Sequence, residues 1–218
     1  MPNDATLIDY YAKRANEYER IYQKPERQED LAALRKMCAQ LLAGQEVLEI
    51  ACGTGYWTQP VSQTAESILA TDINEEVLQI AQAKEYHCAV SFRQSDAFNL
   101  RSLAENNFSA GMAMHWWSHL PKSEIKKFLD GYHRIFPPGA LLVFMDNQFV
   151  AGSSTPISRT DGEGNTYQMR RLQDGTVHEV LKNFPSAGEV ENMLAGSATE
   201  ILWTELPYYW LLTYRLPR

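Results

Sequence analysis

The stretch from Glu46 to Thr58 leaves this chain few folds to choose from. It reads Glu-Val-Leu-Glu-Ile-Ala-Cys-Gly-Thr-Gly-Tyr-Trp-Thr. Val47, Leu48 and Ile50 make a short apolar run that suits a strand buried in a parallel sheet. The run stops at Ala51-Cys52-Gly53-Thr54-Gly55. Two glycines among small residues permit a tight turn and let a ligand approach bare backbone. Tyr56 to Ala65 suits a short helix, with Pro60 near its start, where proline is tolerated. Strand, glycine-rich turn and helix form the opening third of a nucleotide-binding βαβ unit.

The residues around the turn narrow the ligand. A dinucleotide fingerprint has a third glycine three residues after the second; that position is Thr58 here. The acid Glu49, just before the turn, would repel a pyrophosphate and suits a positive group such as an ammonium. A second apolar run, Ile68-Leu69-Ala70-Thr71, ends on Asp72, 23 positions after Glu49. That is close to the roughly 20-residue offset of an acid that binds ribose hydroxyls. A cationic ligand with a ribose and no phosphate points to S-adenosylmethionine. A Rossmann-type domain of another kind is the alternative.

At these residues the chain resembles the class I S-adenosylmethionine-dependent methyltransferases of the small-molecule type. Their first motif is an acid, one residue, then Gly-x-Gly-x-Gly. This chain has Glu49-Ile50-Ala51-Cys52-Gly53-Thr54-Gly55, with alanine replacing the first glycine. The resemblance covers about Leu31 to Asn147, with a looser match at both ends. It implies an α/β, Rossmann-like fold: a seven-stranded, mostly parallel sheet with helices on both faces and the final strand antiparallel between its neighbours. It also implies a cofactor site. Glu49, Ala51, Cys52, Gly53, Thr54 and Gly55 form the turn, Asp72 takes the ribose and Ile73 flanks the adenine. Asp96, followed by Ala97 and Phe98, meets the adenine amino group, and Phe98 covers the ring. Backbone carbonyls near Met114 and His115 meet the methionine ammonium. Ser109 departs from the family, which places an acid there.

Residues 4 to 23 read as a helix. Tyr11, Tyr18 and Tyr22 are seven and four apart and share a face, with Arg14 beside them. These tyrosines either pack on the domain or close over the cofactor. The family resemblance of Tyr11-x-x-Arg14-Ala15-x-x-Tyr18 implies a lid, with cation–π attraction to the sulfonium and Arg14 paired with the methionine carboxylate.

The second informative stretch is His115-Trp116-Trp117-Ser118-His119-Leu120-Pro121, which follows the fourth strand. Strand C-terminal ends form the ligand crevice of an open α/β sheet. His119 and His115 are the candidate catalytic residues, each either a general base or a pocket wall.

Between the fifth strand and the last two lies an insertion, residues 151–184. Gly152 to Gly164 reads as a loop. Thr166 to Leu172 and Thr176 to Asn183 read as a hairpin joined through Gln173-Asp174-Gly175. Arg159, Arg170, Arg171 and His178 are either anchors for an anionic group on the substrate or a solvated hairpin face. The expected organisation is a single domain, 1–218, with residues 1–24 as an N-terminal lid and residues 151–184 projecting over the active site.

Composition bounds the partners. The chain has 218 residues and a formal net charge of −7, which argues against a nucleic-acid footprint. It has no run of 18 apolar residues and no basic-then-apolar leader, so it reads as cytoplasmic and without a membrane partner. Three scattered cysteines suit reduced thiols better than disulfides or a metal. The resulting expectation is an S-adenosylmethionine-dependent methyltransferase acting on a small-molecule acceptor, as a monomer or homodimer. A protein or tRNA methyltransferase, or a non-catalytic S-adenosylmethionine-binding regulator, are the alternatives.

Overall fold

The structure is a computed structural model that describes residues 5–103 and 107–218. In chain order the strands are β1 (Glu46–Ile50), β2 (Ser67–Asp72), β3 (Ala89–Gln94), β4 (Ala110–Met114), β5 (Leu141–Asn147), β6 (Arg159–Thr160), β7 (Thr166–Arg171), β8 (Val177–Leu181), β9 (Thr199–Glu205) and β10 (Tyr209–Arg215). The α-helices are α1 (Ala5–Arg14), α2 (Gln28–Leu41), α3 (Thr58–Ser62), α4 (Glu75–Gln82), α5 (Ile125–His133) and α6 (Ala187–Leu194).

Seven strands form one sheet in the order β3-β2-β1-β4-β5-β10-β9. The first five are parallel, and β10 runs antiparallel between β5 and β9. This is the Rossmann-like sheet the sequence implies. Its direction of winding reverses between β1 and β4, which is where an open α/β sheet binds its ligand.

The core alternates as strand geometry requires. Leu48, Ile50, Leu142 and Phe144 face one side, packed with Phe128 and Tyr132 of α5 and Val190 and Leu194 of α6. Val47, Met112, Val143 and Met145 face the other, with Leu31 and Leu34 of α2, Val61 of α3 and Leu78 of α4. Each such side chain contributes about 1.5–3 kcal/mol on burial. Gly111 of β4 has a packing reason: a methyl group there would collide with Phe136, Tyr132 and Leu142. Ser109 fills the place of the missing acid by accepting a hydrogen bond from the Glu46 N–H at 3.0 Å.

Three local readings change in the structure. The N-terminal helix is α-helical only to Arg14, and Ala15–Gln23 continues as tighter 3-10 winding. Residues 1–4 of the expected lid lie outside the described residues. The helix expected over Tyr56–Ala65 shrinks to α3. The insertion gains a short outer strand, β6, in the segment read as a loop, so its sheet is three-stranded, β6-β7-β8. Asn74 stands at the start of α4, but its side chain makes no cap bond. It reaches instead to the Ile8 carbonyl of α1, 3.3 Å away. Ser186 does cap α6, in a reciprocal box with Glu189.

Candidate cofactor and acceptor site

The turn after β1 winds through the left-handed region at Ala51 (φ 51°), Gly53 (φ 56°) and Gly55 (φ 75°). Glycine occupies such angles without penalty, whereas a residue with a Cβ pays about 1–2 kcal/mol. Ala51 therefore carries local strain. Gly55 owes its lack of a side chain to Tyr86 and Ala81, which press against it.

Asp72 closes the turn. One carboxylate oxygen accepts from the Gly53 N–H and the other from the Asn74 N–H, both at 2.9 Å. Burial raises its pKa, and these backbone donors oppose that. Glu49 lies one strand over, on β1, paired in register with β2. It is 1% exposed, and the Thr58 hydroxyl donates to it at 2.6 Å. Burial pushes its carboxyl up to about 8, and Asp72 adds to the shift. Glu49 thus sits beneath the turn rather than in the cleft.

The cleft at the β1–β4 reversal is lined by Ala51, Gly53, Asp72, Ile73, Asp96, Ala97, Met114, His115, Tyr11, Tyr18 and His119 among the residues singled out from the sequence. Cys52, Thr54, Gly55, Phe98 and Arg14 stand outside its lining. Thr54 donates to Glu19 at 2.6 Å, and Lys84, just past α4, pairs with the same carboxylate, tying the 3-10 segment to the turn. Phe98 packs edge-on against Trp116 and Phe128. Asp96 lines the cleft and also accepts from the Phe98 N–H at 2.9 Å.

Sequence reasoning did not assign Ile8, Asn74, Val77, Ser95 and Trp116 to the cleft, although they line it. Trp116 lies in the stretch marked as crevice-forming, but Ile8 carries no local mark of this role; the packing of α1 brings it there.

The far wall of the cleft is aromatic. Tyr11 meets Tyr18, and Tyr18 meets Tyr22, with ring centroids 5.9 and 6.2 Å apart. The row expected from the sequence survives the change in helix type. His119 holds two bonds. Its Nδ1 lies 2.7 Å from the Leu181 carbonyl, which can only accept, so Nδ1 carries the proton. Nε2 then accepts from the Tyr11 hydroxyl at 2.7 Å. Burial, reinforced by Lys182 and Arg170, holds the His119 pKa well below the usual histidine range.

His115 has φ 58°, and neither ring nitrogen has a hydrogen-bond partner among the described residues. Its Nδ1 is 3.5 Å from Asp146, an ion-pair distance but a poor hydrogen bond. Orphaned, buried polar atoms beside a cleft are what a polar ligand satisfies. The buried Nε1 of Trp116 is another on the same wall.

Beneath this wall lies a buried ion pair. Lys182 donates to Asp146 and to the Ser118 hydroxyl, both at 2.6 Å. Burial alone would raise the Asp146 pKa, but the Lys182 ammonium holds it well below the carboxylate range. Burial pulls Lys182 down to about 8, against the attraction of Asp146. Lys182 was not singled out in the sequence. The available mark was a lysine two residues after Val180, on the inward-facing side just past β8.

The four candidate anchors of the insertion separate. Arg159 is exposed, stacked on Tyr167 and held by Glu179 through two bonds of 2.9 and 2.6 Å. His178 bonds Thr176 at 3.1 Å. Arg170 and Arg171 line a second cavity, which also takes in Arg14.

Comparison with known proteins agrees with this geometry. A methyltransferase-domain family model matches residues 47–139. Malonyl-[acyl-carrier protein] O-methyltransferase of Pectobacterium atrosepticum is 30% identical over 131 residues, 57% of this chain and 48% of that protein. A ubiquinone biosynthesis O-methyltransferase of Pseudomonas aeruginosa is 27% identical over 100 residues, 45% of this chain and 42% of that protein. The chain thus spans about half the length of the curated relatives it matches. Among solved structures, a DhpI–SAM–HEP complex superposes with TM-score 0.80 at 27% identity, covering 97% of this chain and 96% of that one. A DhpI–SAH complex gives 0.77 at 28% identity, covering 98% and 96%.

The chain resembles the class I S-adenosylmethionine-dependent methyltransferases: the methyltransferase-domain model matches residues 47–139, and the SAM- and SAH-bound structures superpose on nearly the whole chain. S-adenosylmethionine is the cofactor of that family, and the cleft fits it. In a class I methyltransferase the ligand is clasped between the β1 turn and the loop after β4. Here the β1 turn carries strained backbone and is fastened by the Asp72 carboxylate at the end of β2, and the loop after β4 brings unpartnered buried nitrogens to the same cleft. No described helix is long and apolar enough to cross a membrane.

Proposed function

We propose that this chain binds S-adenosylmethionine in the cleft at the β1–β4 reversal and transfers its methyl group to the oxygen of a small-molecule acceptor. The observation that carries this reading is Asp72. Both its oxygens are held by backbone N–H groups at the cleft edge, which presents a fixed acid to a ribose. Its neighbours Ala51, Gly53, Ile73, Asp96 and Ala97 supply the adenosine half of the site. Tyr11, Tyr18, Met114, His115 and His119 surround the methionine half. The two curated relatives, both named O-methyltransferases, support an oxygen acceptor.

When bound, S-adenosylmethionine supplies a methyl group already activated on a sulfonium sulfur. The residues are left with alignment and exclusion of water, worth up to roughly 7–11 kcal/mol in favourable cases. Tyr11 and Tyr18 close the cleft against solvent. His119 is neutral and buried, so its Nε2 lone pair can take the proton of an acceptor hydroxyl once the Tyr11 hydroxyl gives way.

Calorimetry with S-adenosylmethionine and with NAD tests the cofactor half. Binding of the methyl donor, lost in Asp72→Ala, is expected; tight NAD binding with no response to the methyl donor refutes the reading. Incubation with radiolabelled methyl donor and a panel of hydroxylated metabolites tests the transfer itself.

A further inference from the structure

A second cavity of about 410 Å³ opens on the other side of the aromatic wall. Its lining is strongly basic: Arg14, Arg20, Lys24, Arg27, Arg170, Arg171 and Lys182, against the single acid Glu17. A chain with net charge −7 has no general reason to gather seven cations around one hollow.

Most of this charge is uncompensated. Lys182 is paired with Asp146, and Glu17 lies 3.9 Å from Arg20. Arg14, Arg27 and Arg170 have no carboxylate within ion-pair distance among the described residues. Each bonds a neutral group instead: Arg14 the Tyr10 hydroxyl at 2.8 Å, Arg27 the Ser153 hydroxyl at 3.0 and 3.2 Å, and Arg170 the Gln168 side-chain oxygen at 2.9 Å. A guanidinium has five N–H donors, so each keeps donors to spare. Arg27 is 6% exposed and lies over the Tyr208 and Tyr209 rings. A buried cation without a counter-ion is costly, and the cost is recovered when an anion arrives. The lowered pKa of Lys182, to which Arg170 and Arg14 both add, reflects the same crowding of positive charge.

This hollow shares a wall with the cofactor cleft. Tyr10 lines the hollow and Tyr11 the cleft, with rings 5.0 Å apart. Arg14 lines the hollow and lies 5.4 Å over Tyr18, which lines the cleft. Tyr209 lines the hollow with its ring 5.9 Å from His115 of the cleft. The Tyr10–Tyr11 crossing falls beside the candidate base His119, whose Nε2 accepts from the Tyr11 hydroxyl.

We propose that the acceptor is a small hydroxylated molecule carrying an anionic oxyacid group, phosphoryl or carboxylate, which Arg14, Arg27 and Arg170 hold in this hollow while its hydroxyl points through the shared wall toward the methyl donor. The proposal rests on the methyl-transfer reading above and names the substrate class for it. Arg and oxyacid groups match in geometry, since the planar fork meets two oxygens at once. Arg170 also lies beside the Tyr11 hydroxyl, so an anion bound to it sits next to the Tyr11–His119 pair.

The test uses the full chain and inorganic phosphate as the probe. Calorimetry should show phosphate binding that weakens with salt. Arg170→Gln should weaken it about tenfold or more, as loss of a buried charge partner does. The affinity for S-adenosylmethionine should stay within about twofold, as for independent sites. Arg27→Lys keeps the charge and the packing stem but loses the fork, and should also weaken phosphate binding while leaving the thermal melting point near that of the parent. Absence of phosphate binding, or binding unchanged in both variants, overturns the proposal. A parallel loss of S-adenosylmethionine affinity also overturns it, because the cations would then hold the cofactor's own carboxylate. A second arm compares acceptors of one hydroxylated carbon skeleton ending in phosphate, carboxylate or neutral amide. Preference for either anion supports the proposal, and equal turnover of the amide ends it. If S-adenosylmethionine itself fails to bind while phosphate does, the methyltransferase reading fails and the anion site stands.

Discussion

The hydroxyl of Tyr11 lies 2.7 Å from Nε2 of His119, joining residues 108 positions apart across the mouth of the cleft. Helix α1 and the loop after β4 are thus stitched together by the lone pair that a catalytic histidine would use. If His119 is the base, as proposed, Tyr11 occupies its lone pair until the acceptor arrives. Removing the base from a transfer that must deprotonate its acceptor costs about 100- to 10,000-fold. His119→Ala should therefore lower kcat by about that factor, measured with the preferred hydroxyl acceptor. Activity equal to the parent would leave His119 as a wall residue.

The same histidine sets an acid limit on stability. Its folded pKa is depressed, so below about pH 6.5 the unfolded chain binds a proton that the folded chain refuses. Stability is fully present above that pH and is lost on acidification, by at most about 1.4 kcal/mol per pH unit for this one group. Thermal melts from pH 7 to 5 should fall, and His119→Gln should fall less steeply. An identical slope in the variant would remove His119 as the cause.

Glu49 should act in the opposite direction. Its folded carboxyl is raised to about 8, well above its unfolded value. Its contribution is complete below about pH 4.5 and fades as pH rises toward 8, because only the unfolded chain ionises there. Glu49→Gln should flatten that decline and raise the melting point at pH 8, since the amide still accepts from Thr58. A melting point at pH 8 below that of the parent would show that the ionised carboxylate is the folded form.

Lys182 and Asp146 form a buried pair that resists single replacement. Lys182→Met leaves Asp146 buried with an unbalanced charge, which costs about 3–5 kcal/mol. Adding Asp146→Asn should recover part of that loss. Chemical denaturation of the two single variants and the double variant measures the coupling. Strict additivity would mean that the pair contributes no interaction of its own.

Ala51 sits at φ 51° where the family's motif has glycine. Ala51→Gly relieves about 1–2 kcal/mol of backbone strain and gives back about 0.4–1 kcal/mol through the freer unfolded chain. The net should lie between about 0 and 1.6 kcal/mol in favour of glycine, with binding of S-adenosylmethionine retained. A loss of stability would show that the methyl group of Ala51 packs usefully in the native turn.

Much of this protein was readable along the chain because its signals are local. Val47, Leu48 and Ile50 before a glycine turn, and an acid closing the next apolar run, determined β1, β2 and the turn between them. The parallel sheet, the cleft and Asp72 on its rim follow from those short-range patterns. The aromatic row Tyr11, Tyr18, Tyr22 was read from α-helical spacing, but in the 3-10 segment residues four apart are turned about 120° from each other, so packing against the domain and not helix period keeps Tyr18 and Tyr22 in contact. Other features came only with tertiary structure. Glu49 reads as a ligand acid in sequence, but the close approach of Thr58 and β2 turns it inward. Arg159 and Arg170 look alike in sequence, yet Glu179 neutralises one across the hairpin while the other faces a hollow built from α1, the 3-10 segment and β7. Neither the Tyr11–His119 bond nor the unbalanced cluster of Arg14, Arg27 and Arg170 has any mark in sequence spacing. Charge balance and hydrogen bonding depend on distances through space, and the chain sets those only once the sheet and its insertion have packed.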